Sequence, residues 1–289
     1  MPATGDALFD EGMFEEARAA YLQLLESTDD PSLQTEAAAM IARTYLTTDR
    51  KEEARPWLER ARETASPDKP RGYARYLSVR GRMEWKDHQF EAAQRTFLSL
   101  YEICRRNGYA DRAIDALAML AILSPLPEQI GWAKQAIAEA ERAGLSEKLG
   151  VLWNNLGATH EDLGQHEEAL EAYRRAREYH QRHSPALHQL KADYAVAHVQ
   201  RLLSRHEEAR ELLLLLLPAF EEVGAVEFQG WTCHELAHLE MAQENAEAAL
   251  DYFIRAKSHL LDAGIATWDP ATLERIVTHI ARLEPRQPH

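Results

Sequence analysis

Cysteine is nearly absent. Two residues, Cys104 and Cys233, are too few for a disulfide framework, and a reducing cytoplasm is their simplest setting. Glycine and proline are also scarce, 13 and 12 in 289 residues, while Ala, Leu, Glu and Arg abound, a helix-forming composition. No long apolar run exists. The longest, 212–219, contains Pro218 and is far too short to cross a bilayer; it is expected to be a helix buried on several sides. The opening MPATGDALFDEG lacks the charged-then-apolar layout of a signal peptide. Cations are the minority, 33 Lys and Arg against 47 Asp and Glu. The net charge of −14 repels nucleic acid at long range, so neither nucleic acid nor membrane is an expected partner. There is no phosphate-binding G-x-x-x-x-G-K-[S/T], no C-x-x-C and no G-x-S-x-G, and no cofactor is expected.

What the chain has is repetition. FEEARAAYLQLL (14–25), KEEARPWLERAR (51–62), FEAAQRTFLSLY (90–101), HEEALEAYRRAR (166–177), HEEARELLLLLL (206–217) and AEAALDYFIRAK (246–257) share one pattern. An acidic pair or its remnant precedes an alanine, and a large apolar residue follows four later. The marker alanines are Ala17, Ala54, Ala93, Ala169, Ala209 and Ala249, at separations of 37, 39, 76, 40 and 40 residues. The doubled separation hides a degenerate copy between 111 and 144.

A second helical segment precedes each marker. In WNNLGATHEDLGQHEEALEAYRRA (153–176), Trp153, Leu156, Gly157, Gly164, Ala169, Tyr173 and Ala176 fill the slots of W-x2-L-G-x2-Y followed by A-x3-F-x2-A. His160 stands where tyrosine is usual. The chain therefore resembles the tetratricopeptide repeat family over roughly 5–264, with a period longer than the usual 34 residues, as in some bacterial regulators. The resemblance implies an all-α, right-handed α-solenoid of about seven helical hairpins, each burying its apolar face against its neighbours. Residues 1–268 form this array, 269–284 a capping helix, and 285–289 a disordered tail. Asp269 caps that last helix with Pro270 at its first position, and Leu273, Ile276, Val277, Ile280 and Leu283 make its apolar stripe. Pro56 is expected to kink or delay its back helix. Only residues 2–10 precede the first turn, so the N-terminal edge is poorly capped or lacks a preceding segment.

HELAH (234–238) spells the zinc-binding H-E-x-x-H of metallopeptidases. The repeat accounts for its Leu236 and Ala237 without any metal. A peptidase would also need a third ligand on another element, and the downstream His259 and His279 are not clearly placed for it. A weaker metal candidate is the trio His198, His234 and His238 on adjacent front helices. No catalytic residue is expected.

In the family, slots two, five, nine and twelve of each front helix line the concave groove. Here they supply Glu36, Ala39, Arg43 and Leu46; Arg75, Ser78, Arg82 and Trp85; Arg112, Asp115, Met119 and Ile122; Val151, Asn154, Ala158 and Glu161; Lys191, Tyr194, His198 and Arg201; and Trp231, His234, His238 and Met241. Six are basic and three acidic, against the balance of the whole chain. Asn155 holds the slot from which an asparagine in some members grips a bound peptide backbone; Met40, Val79, Ala116, Ala195 and Glu235 stand there in the other copies. No repeat has the Lys and Asn pair of the chaperone-tail clamp. The resemblance thus implies a non-catalytic, cytoplasmic scaffold or adaptor. It would bind a protein or acidic peptide through Arg43, Arg75, Arg82, Trp85, Asn154, Asn155, Lys191, Tyr194, His198, Arg201, Trp231, His234 and His238. The alternatives are a peptide-sensing module of a bacterial signalling system and, last, a metal-dependent hydrolase at 234–238. Homo-oligomer formation is left open.

Overall fold

A computed structural model of the chain describes residues 4–284. The expected tail at 285–289 lies outside them. The described residues form sixteen helices and no strand. They divide into two compact units, Met1–Leu145 and Ser146–His289.

The first unit stacks four hairpins: α1 (Gly5–Asp10) with α2 (Phe14–Ser27), α3 (Pro31–Thr47) with α4 (Lys51–Thr64), α5 (Pro70–Lys86) with α6 (Phe90–Arg106), and α7 (Ala110–Leu123) with α8 (Leu126–Ala143). The second stacks three: α9 (Ser146–Asp162) with α10 (His166–His183), α11 (Ala186–Leu202) with α12 (His206–Glu222), and α13 (Val226–Ala242) with α14 (Ala246–Asp262). The short α15 (Ile265–Trp268) and α16 (Pro270–Leu283) follow. Seven hairpins and a terminal helix are what the repeat count predicts.

The marker alanines are where helices touch. All six are 0% exposed. A larger side chain there would force the backbones apart, since interiors are close-packed. In the degenerate copy the same place falls to Ala133, at 4% exposure. It shifts the register of α7: Met119 is buried and Ala118 only half-buried, so the groove set read for this copy is corrected at that position.

Six of the seven turns inside the hairpins share one device. Gly12, Asp49, His88, Gly164, Ser204 and Glu244 all have positive φ, from 57° to 78°. A left-handed residue reverses the chain between front and back helix. Only two of the six are glycine.

Three further expectations meet the structure differently. In the run 212–219, Leu213 and Leu216 are buried, but Leu214 is 44% and Leu215 72% exposed, so α12 buries one face only. α4 runs unbroken through Pro56. On α16, Asp269 accepts a capping hydrogen bond from Thr272 N at 3.1 Å, and Ile276, Leu273, Ile280 and Leu283 pack on Phe253, Leu260 and Ile265. Val277 lies off that stripe, at 42% exposure. Cys104 on α6 and Cys233 on α13 are free thiols with no exposure, and burial pushes each up to about 11.

Candidate functional site

In the first unit the front helices α3, α5 and α7 present the first basic cluster, and the structure splits it in two. Glu36, at 5% exposure, is a hub. Its Oε1 accepts from Arg75 Nε at 3.2 Å and Arg112 Nη2 at 2.8 Å, and its Oε2 lies 2.9 Å from Arg71 Nε. Arg75 also pairs with Asp6. A carboxylate this buried is costly unless several charged donors surround it. Arg75 is therefore spent inside the protein.

Arg43 and Arg82 are placed differently. Arg82 Nη1 donates to Ser78 O at 3.0 Å and Ser78 Oγ at 2.6 Å, which holds the side chain along α5. Its guanidinium lies 5.7 Å from the Phe97 ring centroid, and that of Arg43 lies 5.9 Å from Phe9. Burial, then the like charge of Arg82, push Arg43 down to about 9, with Asp115 opposing; it remains cationic at neutral pH. Burial also lowers Arg82. Trp85, one turn beyond Arg82, is 37% exposed.

In the second unit the hub is Glu235, at 2% exposure. Its Oε2 accepts from Arg201 Nε and lies 3.1 Å from His198 Nδ1; its Oε1 is 3.4 Å from His234 Nδ1. His198 Nε2 sits 3.0 Å from Glu161 Oε1, and Tyr173 OH donates to the other Glu161 oxygen at 3.0 Å. Burial disfavours charge on His198, but hydrogen bonds to Glu161 and Glu235 outweigh it and hold the pKa up at about 9. Burial likewise opposes the charge on Glu235, and His198, His234 and Arg201 together keep its pKa well below the usual carboxylate range.

This arrangement bears on HELAH. Glu235 is locked among cations and is not poised over a metal-bound water. His234 and His238 face each other, Nε2 to Nε2 at 3.2 Å, while both His198 nitrogens meet carboxylates. The three histidines do not converge, and among the described residues no group of three His, Cys, Asp or Glu side chains could hold a metal ion. Burial, then His234 and Arg201, push His238 down to about 4.

The remaining predicted residues lie on the same front-helix faces. Tyr194 stacks on His198 with centroids 6.2 Å apart, and Lys191 Nζ is 4.7 Å from the Phe228 centroid. Trp231 donates from Nε1 to Glu227 at 3.3 Å and lies 6.1 Å from Trp268. Asn154 and Asn155 are half-buried side by side on α9. The two hubs, Glu36 and Glu235, were missed by slot counting as partners of the arginines. The available signal for the second was an acid at a slot where other copies carry Met40, Val79 and Ala195.

Residues 151–183 and 35–64 each match a family model described as tetratricopeptide repeat. No curated protein matches the chain in sequence. Solved structures resemble it in fold. The apo form of RapI has a TM-score of 0.72 at 13% identity, covering 88% of this chain and 74% of that one. A signal transduction ATPase with numerous domains from Pyrococcus horikoshii, bearing a tetratricopeptide repeat sensor, has a TM-score of 0.70 at 15% identity. That match covers 97% of this chain but 43% of the archaeal one, so the chain spans less than half of that protein's length. Aspartyl phosphate phosphatase F from Bacillus subtilis has a TM-score of 0.60 at 16% identity over 88% of this chain and 68% of that one. Identities this low speak for the fold alone. Two hairpins, 35–64 and 151–183, thus match the tetratricopeptide repeat in sequence, and the described residues form stacked helical hairpins of that kind throughout, an all-α repeat array.

Proposed function

We propose that the protein is a non-catalytic, cytoplasmic interaction module whose front-helix face in the first unit takes an acidic segment of a partner protein. The observation that carries this reading is the pair Arg43 and Arg82. Both guanidiniums lie against aromatic rings, and Trp85 stands exposed beside them. Arginine forks match carboxylates in two-point contacts, and rigid aromatics supply contact area at little entropic cost. Arg75 contributes to the field of this face but is held by Glu36 and Asp6. In the second unit Trp231, Tyr194, His234 and the amides of Asn154 and Asn155 offer further contacts. Lys191, His198, His238 and Arg201 belong to that same face.

The test is capture of partners from native cytosol by the full chain, followed by titration of the captured protein. Arg82→Glu should weaken binding by about 2 kcal/mol, roughly thirtyfold. Glu168→Lys, on the exposed side of α10, should leave it unchanged. Added salt should weaken the contact, because charges are screened beyond about 10 Å at 0.1 M. If both variants lose the same partners equally, or salt has no effect, the reading is wrong.

A second reading is a regulatory sensor that responds to a peptide. It is supported by the likeness in fold, over nearly the whole of this chain, to part of an archaeal ATPase that bears a tetratricopeptide repeat sensor.

A further inference from the structure

Repeat packing accounts for Leu236 and Ala237 of HELAH but not for the two histidines that flank them. His234 and His238 are four residues apart on α13 and so share one face of the helix. Among the thirteen histidines of the chain they are the only pair at that spacing. Cys233, Leu236 and Ala237 are 0% exposed, so packing pins this turn of the backbone.

The two rings turn toward each other. His234 Nε2 and His238 Nε2 are 3.2 Å apart, while the ring centroids are 4.6 Å apart. The nitrogens are closer than the rings that carry them, so both lie on the inner sides. Neighbouring rings set this orientation. His234 stands edge-on to Trp231, with centroids 5.8 Å apart. His238 stands edge-on to Phe253 of α14 at 5.3 Å and to His279 of α16 at 5.4 Å.

The other nitrogen of His234, Nδ1, lies 3.4 Å from Glu235 Oε1. A carboxylate there favours the tautomer with its proton on Nδ1 and a lone pair on Nε2. His238 Nε2–H then donates to that lone pair. An ion in place of this one proton suits the spacing. At a metal–nitrogen distance of about 2.1 Å, nitrogens 3.2 Å apart subtend about 100° at the ion, near the tetrahedral angle. The displaced proton moves to His238 Nδ1, and the ring stays neutral.

Once one imidazole holds the ion, the other meets it without any loss of freedom by the helix, which raises the affinity above that of a single histidine. Imidazole nitrogen suits zinc, nickel and copper; magnesium and calcium prefer oxygen. Both rings are partly exposed, so water fills the remaining positions. Arg201 and Glu235 pair with each other, so neither dominates the field at the ion.

We infer that His234 and His238 chelate one divalent transition-metal ion of the zinc type through their Nε2 atoms. His198 takes no part, since both its nitrogens meet carboxylates. Glu235 meets the other nitrogen of His234 and not the ion, so no peptidase chemistry is involved. The site lies in the second unit and does not depend on the Arg43 and Arg82 face.

The test titrates zinc chloride by calorimetry into the full chain after a chelator has stripped it of metal. One ion per chain should bind at micromolar concentration. His234→Asn and His238→Asn should each weaken binding tenfold or more. His88→Asn, at an exposed turn of the first unit, and His279→Phe should leave it within twofold. Nickel should compete with zinc, and magnesium in hundredfold excess should not. A second measurement needs no variant: one equivalent of zinc should shift the imidazole nitrogen resonances of two histidines alone, and the melting temperature should rise with zinc concentration. No binding below millimolar concentration, binding that survives both Asn variants, or competition by magnesium overturns the inference. A loss in His279→Phe as large as in His238→Asn overturns the two-point geometry.

Discussion

At Glu235 a carboxylate sits where four other copies carry an apolar side chain, and several cationic groups surround it. Arg201, His198 and His234 reach it from two helices. These shifts fix how stability depends on pH. His198 keeps its proton up to about 9, above its ordinary 6.5. The contact therefore stabilises fully below 6.5 and is lost as pH rises through about 9. His238 is displaced the other way, down to about 4. Between 6.5 and 4 the unfolded chain takes up a proton that the folded chain refuses, so stability falls as pH falls through that window. The depressed carboxylate of Glu235 adds to this loss on the acid side. We expect urea midpoints to be highest near neutrality and to decline above it. His198→Gln should flatten the alkaline limb, and an unchanged alkaline limb would show that the carboxylates do not hold this proton. The sequence made part of this legible. Slot counting put His198 and Arg201 in groove slots and Glu235 in the slot that Asn155 holds in its own copy. It could not tell that the arginine reaches inward to the acid, because a slot fixes where a side chain leaves the helix and not where its flexible stem ends.

At the scale of the element, the same turn is solved with different residues. Gly164 and Glu244 occupy equivalent places with φ of 69° and 61°. A side chain there meets the steric penalty of the left-handed region, about 1 kcal/mol or more. Glu244→Gly should stabilise the protein by up to about 1 kcal/mol, less the extra freedom glycine gives the unfolded chain. Gly164→Ala should destabilise it by a similar amount. Thermal denaturation of the two variants checks both signs, and a fall in stability for Glu244→Gly would show that Glu244 contributes through a contact of its own. The turns themselves were legible from the marker spacing. The register of α7 was not. Its front helix has 14 residues where most have 17, and the surrounding stretch is so rich in alanine that several phases look alike. Only packing distinguishes Ala133 from its neighbours.

At the scale of the molecule, stacked hairpins touch only those beside them, so a local loss stays local. Ile276 is wholly buried at the end of the second unit against Phe253, Leu260 and Ile265. Truncating it to Ala should cost about 2–5 kcal/mol. Amide exchange should quicken in α14 and α16 and change little at Ala54 or Ala93. Equal acceleration throughout would mean that the chain opens as one cooperative body, contrary to nearest-neighbour stacking. That the chain is helical and repetitive, with an amphipathic helix at Pro270–Leu283 whose apolar stripe is buried, could be read from composition, periodicity and the resemblance. The division at Leu145 could not, because the repeat continues in sequence across it.

The two thiols give this last question a handle. Cys104 belongs to the first unit and Cys233 to the second, and neither shows any surface. A thiol shielded by packing and held protonated by burial reacts with an alkylating reagent only while its helix is lifted away. Each unit thus carries its own clock: the speed at which each sulfur is tagged, read by mass, records how often its own hairpin opens. The two rates come from one tube, with no mutation and no denaturant.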